Sequence, residues 1–314
     1  MQTKNYGDLF TFIQALIGAG TLTVPECRII HQFINQRLQE AYNTTQSWPR
    51  YLVSSEKRDI NSLEVKGSAT GTVNQNYRIR GEDANGFNVY QGVSTDTVFV
   101  FRSGTTWVIK TAGTLSESDD IYSVSGGVTR HTEQDSSKKS HPFEVETYSN
   151  NNGGALEVNQ INLIPYAESS KDTIAEFFRI HRKKAFINQS QLEYDFFITV
   201  DGAHILNTAT ISEESAFVTY KKSQAFLTIT EGGTPNASNY TDNTSVQVPL
   251  EFYNFIANGA HADFLRVERR FDEALQADNK AQNYLAQELE KLDIIANNNN
   301  LKKKFSTHLN RNSR

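Results

Sequence analysis

The chain has 314 residues, of which 38% are hydrophobic, and a formal net charge of −5. That length supports one large domain or two to three smaller ones, and the apolar share lies below the usual roughly 45–50%. The acidic balance excludes a general nucleic-acid binder. The single Cys27 excludes a disulfide framework or thiolate metal cage and suits a reducing compartment, and no run approaches the ~20 apolar residues of a membrane span.

Leu9, Phe12, Ile13, Leu16 and Ile17 fall on one stripe, which predicts a first amphipathic helix over 8–17 rather than a signal peptide. Pro25 suits the first turn of a second helix, in which Ile30, Phe33, Ile34, Leu38 and Ala41 recur at helical spacing up to about Asn43. From residue 62 the texture changes to short β-rich runs such as NYRIR, FNVY, TVFVF and TWVIK, broken every 8 to 12 residues. Asn85-Gly86 is a tight-turn signal among them, and SNNNGG (149–154) closes the stretch. We therefore expect an all-β domain over 62–160, inserted between helices.

Asp172 opens DTIAEFFRIHRKK, read as a third helix with Ile174, Phe177, Phe178 and His181 on one face. EYDFFITV turns at Asp201-Gly202 into AHILNTA, a hairpin, and AFVTYKK and AFLTI add strands. From Pro249 one long helix is predicted to about Ala296, with Phe271, Ala274, Leu275, Ala281, Leu285, Leu289 and Leu292 as its stripe. The plan is α+β: an α-helical core formed by 1–61 and 161–296, a β-hairpin, an inserted all-β domain over 62–160, and a tail over 297–314. That tail carries Lys302, Lys303, Lys304, Arg311 and Arg314 without an acid, which suits an acidic partner.

Candidate chemistry is sparse. His131 and His141, with Glu133 and Asp135, read as a solvated loop, and His181 as a core or interface histidine. Gly18-Ala19-Gly20 follows a helix rather than a strand, against phosphate binding. Asp119-Asp120 lacks calcium-loop spacing, and no GxSxG or HExxH occurs. The reading is therefore non-enzymatic, with no cofactor and no metal. Tyr77, Tyr90, Trp107 and Tyr122 are candidates for stacking on glycans, against the simpler reading that they plug a small β core. His261 follows the Gly259-Ala260 step, which sits between Phe255 and Phe264 and points to close helix or subunit packing.

Three stretches together resemble the head–tail adaptor proteins of tailed bacteriophages, the connector rings of the neck. They are YDFFITVDGAHILNTATISEESAFVTYKK, the segment VPLEFYNFIANGAHADFLRVERRFDEALQADNKAQNYLAQELEKL, and the N-terminal helix pair with Trp48. In the second, Pro249, Gly259-Ala260, Leu265-Arg266, Ala281 and Tyr284 carry the pattern. NQNYRIRGEDANGFNVYQG…TTWVIK resembles a small β domain recurring in phage and virion proteins. The resemblance implies a ring of identical subunits, usually twelve, assembled in the bacterial host cytoplasm and placed in the virion neck between capsid and tail. Its expected partners are the portal protein, tail or nozzle proteins, and genomic DNA that passes through the channel without sequence-specific binding. No membrane is implied. On that reading Leu301, Lys302, Lys303, Lys304, Phe305, Leu309, Arg311 and Arg314 form a portal-docking tail, uncoupled by Asn297–Asn300 and ordered on docking. A tail or capsid decoration protein whose β module binds host glycans is the alternative.

Overall fold

A computed structural model describes residues 2–82, 87–103, 106–111, 120–125, 149–150, 154–184, 193–206, 215–231 and 235–311. Side chains at 82, 103, 120–125, 149–150 and 295–311 lie outside that description. So do the Asn85-Gly86 turn, His131, His141, Asp119 and Arg314. The architecture is α+β, with helices and antiparallel sheets in two compact units. Unit 1 comprises Met1–Leu52 and Gln224–Arg314, and unit 2 comprises Val53–Ser223. The β unit is thus wider than the 62–160 expected from sequence and takes in 161–223, which was assigned to the helical core.

Unit 1 begins with β1 (Thr3–Asn5), α1 (Tyr6–Ile17) and α2 (Val24–Asn43). The Thr23 amide donates to Glu26 Oε2 at 2.7 Å as half of a capping box, and Pro25 occupies the first turn of α2. After the short α3 (Ser238–Thr241), β15 (Gln247–Pro249) pairs antiparallel with β1, and α4 (Leu250–Val267) follows. The single long helix expected from Pro249 is two: α4 stops, and α5 (Phe271–Arg311) starts afresh. Arg269 takes φ 64°, its amide donates to the Arg266 carbonyl at 3.1 Å, and the Arg270 amide reaches the Leu265 carbonyl at 2.9 Å. This is a Schellman cap with arginine in the place usually held by glycine. Of the predicted α5 stripe, Ala274, Ala281 and Leu285 are buried, whereas Phe271 and Leu275 are 65% and 60% exposed. α5 also continues through Asn297–Asn300 to Arg311, so the predicted uncoupling of the tail is not observed.

Unit 2 holds a ten-stranded sheet in the order β12-β13-β10-β3-β4-β5-β6-β7-β8-β9 and a three-stranded sheet in the order β11-β14-β2. The strands are β2 (Leu52–Asp59), β3 (Asn61–Ser68), β4 (Asn76–Glu82), β5 (Asn88–Gly92), β6 (Val98–Ser103), β7 (Thr106–Thr111), β8 (Asp120–Ser125) and β9 (Ser149–Asn150), then β10 (Gly154–Pro165), β11 (Ile174–His181), β12 (Phe196–Ile198), β13 (Gly202–Ile205) and β14 (Ser215–Lys222). β12 and β13 form the expected hairpin across Asp201-Gly202. A Cβ at Gly202 would lie 2.1 Å from the Ile164 carbonyl, so the close approach to β10 needs glycine. One core gathers Leu63, Val65, Tyr77, Val100, Trp107 and Ile109, and a second gathers Ile60, Ile164, Phe177, Ile180, Val218 and Tyr220.

Two further expectations fail. The stretch 174–181 is strand β11, not a helix. Register shifts between Ile174 and Glu176 and between Phe177 and Arg179 mark bulges, which space the buried Ile174, Phe177 and Ile180 three apart and mimic a helical period. AFLTI (225–229) belongs to no sheet.

Candidate functional site

The Gly259-Ala260 step lies on the face of α4 that meets α2. A Cβ at Gly259 would sit 2.9 Å from both Cδ and Nε of Arg37, so the missing side chain leaves room for the arginine stem. Arg37 is 7% exposed at its side chain. Its Nε and Nη2 donate to the two carboxylate oxygens of Asp263 at 2.7 and 2.8 Å, and its Nη1 donates to Glu40 Oε2 at 3.0 Å. Asp278 of α5 pairs with Nη2 at 3.0 Å. Arg266 closes the network, donating to Asp263 at 2.5 Å and to Asp278 at 2.8 Å. Burial opposes the Arg37 charge, but the hydrogen bonds and charges of Asp263, Glu40 and Asp278 outweigh it and raise its pKa. Phe255, Ala260 and Phe264 are buried in the same unit, at 1%, 0% and 5% exposure. Gly259 and Phe255 of the predicted seam thus meet Arg37 of α2 within the chain.

α4 and α5 run antiparallel. Arg266 meets Asp278 near the turn, while Leu250 and Leu292 line one cavity at the far end. That cavity, about 410 Å³, has Trp48, Pro49, Leu250 and Leu292 in its walls and charged groups at Glu288 and Lys291. Arg50 Nε donates to Glu251 at 2.6 Å beside it. Trp48 is fixed by its indole N–H, which donates to the Ala41 carbonyl at 2.9 Å, and by an edge contact to Phe252 at 4.8 Å. Such a volume suits a small molecule or an apolar side chain of a partner.

On the other side of α2, the Tyr6 hydroxyl and His31 Nδ1 share a hydrogen bond of 2.9 Å. Arg28 holds Glu231 through two bonds of 2.8 and 2.5 Å, and the Tyr240 hydroxyl also donates to Glu231. The hydrogen bonds of Arg28 and Tyr240 pull the Glu231 carboxyl down to about 2. Burial pushes His31 below its ordinary value and pushes the Cys27 thiol up. A buried thiol raised in this way is a packing residue rather than a nucleophile. Sequence reasoning missed this cluster because Glu231 lies 203 residues from Arg28 in the chain.

The glycan candidates are placed differently. Tyr77, Tyr90 and Trp107 are 0%, 2% and 1% exposed in the first β core, so their faces are not available for a sugar. Tyr122 lies on β8, and its side chain is outside the described residues. Leu301, Lys302, Lys303, Lys304, Phe305, Leu309 and Arg311 lie along α5. His181 is buried on β11. Among the described residues no group of three or more His, Cys, Asp or Glu could hold a metal ion, and no helix is long and apolar enough to cross a membrane. No protein family, curated protein or solved structure matches the chain.

Proposed function

We propose that this chain is a structural head-to-tail adaptor of a tailed bacteriophage, a non-enzymatic ring subunit that joins portal to tail around the DNA channel. The observation that supports it is α5. It is one helix of 41 residues, about 60 Å long at the helical rise. Its buried positions Ala274, Ala281 and Leu285 fall in the first half, and Lys302, Lys303, Lys304 and Arg311 fall in the last turns. Among the described side chains the last of these buried positions is Leu285, and the cationic residues follow it along the same helix. An arm of this kind reaches an acidic partner without first paying the ordering entropy of a loose tail.

The reading is tested with the cognate portal protein. Removing 301–314 is expected to abolish capture by portal while the remaining chain keeps its unfolding transitions, and negative-stain images of the full chain with portal are expected to show rings with a central channel. Capture that survives the truncation overturns the docking role of the α5 end. A complex without rings overturns the adaptor reading itself.

A further inference from the structure

The segment 224–231, QAFLTITE, is rich in β-forming residues and lies along α2 instead of in a sheet. Three tethers hold it antiparallel to the helix. Gln39 Nε2 donates to the Gln224 carbonyl at 2.9 Å, and Arg28 binds Glu231 at the other end. Between them Asn35 clamps Leu227, donating to its carbonyl at 3.1 Å and accepting from its amide at 2.7 Å. Residues 28 to 39 of a helix span about 17 Å, so the segment advances roughly 2.4 Å per residue, well above the helical rise. It is more extended than a helix. Leu227 turns both of its main-chain groups to Asn35, and the amides and carbonyls of Phe226, Thr228 and Thr230 have no hydrogen-bond partner among the described residues. Phe226 is also 67% exposed.

β12 is a matching edge. It ends the ten-stranded sheet. The Thr199 amide donates to the Gly202 carbonyl at 2.8 Å and the Leu206 amide to the Asp195 carbonyl at 2.7 Å, so the main-chain groups of Phe196 and Ile198 face outward. Phe197 and Ile198 are 47% and 53% exposed, and Val200 is 94% exposed. Other outer strands carry the polar and charged residues that discourage strand pairing: β1 is Thr-Lys-Asn, β2 contains Glu56 and Lys57, and β11 contains Glu176 and Arg179. β12 and 225–230 have no charged residue within their bounds.

We propose that the 225–230 edge of one copy is completed by β12 of a second copy, through strand addition. The two surfaces differ, so the contact is head-to-tail, and repetition closes a ring or extends a filament. This inference rests on the ring reading above and names the contact that would build it.

Sedimentation velocity of the full chain, alone and with portal, tests it. Thr228→Pro deletes one unpartnered amide from a segment outside helix and sheet, and Ile198→Pro deletes an outward amide on the other edge. Both variants are expected to stay monomeric where the natural chain and Thr228→Ala assemble. Phe226→Glu, which leaves the backbone intact, is expected to act like the proline variants, and unchanged circular dichroism and melting show that each variant is folded. Assembly that persists in folded Thr228→Pro, Ile198→Pro and Phe226→Glu overturns strand addition and leaves the ring reading standing. A natural chain that is monomeric at every concentration, with and without portal, overturns both.

Discussion

Among the described residues each unit buries one arginine, and the two are neutralised in different ways. Arg37 in the helical unit draws on Glu40 of its own helix, Asp263 of α4 and Asp278 of α5, so one guanidinium ties three helices together. Arg58 in the β unit is 0% exposed and meets Glu56 at 2.8 Å, the Tyr220 hydroxyl at 2.5 Å and the Asp172 carbonyl at 2.5 Å. Its Cζ also stacks 4.8 Å from the Tyr220 ring centroid, while Nε and Nη1 make no hydrogen bond. Two of the three carboxylates on Arg37, Asp263 and Asp278, are shielded at 14% and 23% side-chain exposure and Glu40 is 44% exposed, whereas the close carboxylate on Arg58, Glu56, is 32% exposed and can hydrate, with the 14%-exposed Glu168 only at 3.9 Å. The helical unit thus meets its buried guanidinium with carboxylates from three helices. The β unit leaves that of Arg58 partly to an aromatic face.

The two tryptophans, Trp48 in unit 1 and Trp107 in unit 2, allow this contrast to be measured unit by unit. In a Trp107→Phe background, Arg37→Met is expected to cost about 3 kcal/mol in denaturant unfolding followed by Trp48 emission, because it leaves two shielded carboxylates with only the more exposed Arg266. A loss below about 1 kcal/mol would remove the three-helix tie as a stabilising element. In a Trp48→Phe background, Arg58→Met is expected to cost less, about 2 kcal/mol, since Glu56 can turn to water and the methionine fills the space. Equal losses would erase the contrast. Gly259→Ala should destabilise unit 1 by about 1 kcal/mol even though alanine is the better helix former, because the added Cβ meets the held Arg37 stem. A stabilised variant would show that Arg37 has room to shift.

The smallest effect is a pH dependence. Burial holds both His31 and His261 below the ordinary 6.5, with Arg270 and Lys280 adding to the effect on His261, while Glu231 opposes it at His31 and Glu273 and Glu268 oppose it at His261. A folded-state pKa below the unfolded one means that the unfolded chain binds more protons in that window. Unit 1 stability should therefore fall as pH drops below about 6.5 and be fully present above it. His31→Gln should flatten part of that slope in melts read by Trp48, and an unchanged slope would assign it elsewhere.

Much of unit 1 was legible in the sequence, because helix signals are local. Pro25, Glu26 and the Ile30/Ile34/Leu38 spacing place α2 within a residue of its observed ends. The α4–α5 break was not legible, because Arg269 takes a backbone conformation whose usual marks are Gly or Asn. β11 was misread for a related reason: its bulges are set by pairing with β14, a partner 40 residues away, and they alter the period seen along the strand. The small-residue seam was recognised as close packing, but its occupant was not, since the eleven residues around Gly259 say nothing of Arg37. The Asn35–Leu227 clamp had no local signal at all.

Tyr51 and Gln224, the residues flanking the point where unit 2 interrupts unit 1, are joined by a 2.6 Å hydrogen bond from the tyrosine hydroxyl. During synthesis α1 and α2 leave the ribosome before α4, the helix that both pack against, with their apolar faces not yet covered by it. The whole β unit must emerge before α4 and α5 arrive. Translation speed across 53–223 thereby sets how long those apolar side chains stay exposed to chaperones, and slow codons there would lower the yield of folded helical unit without altering a single amino acid.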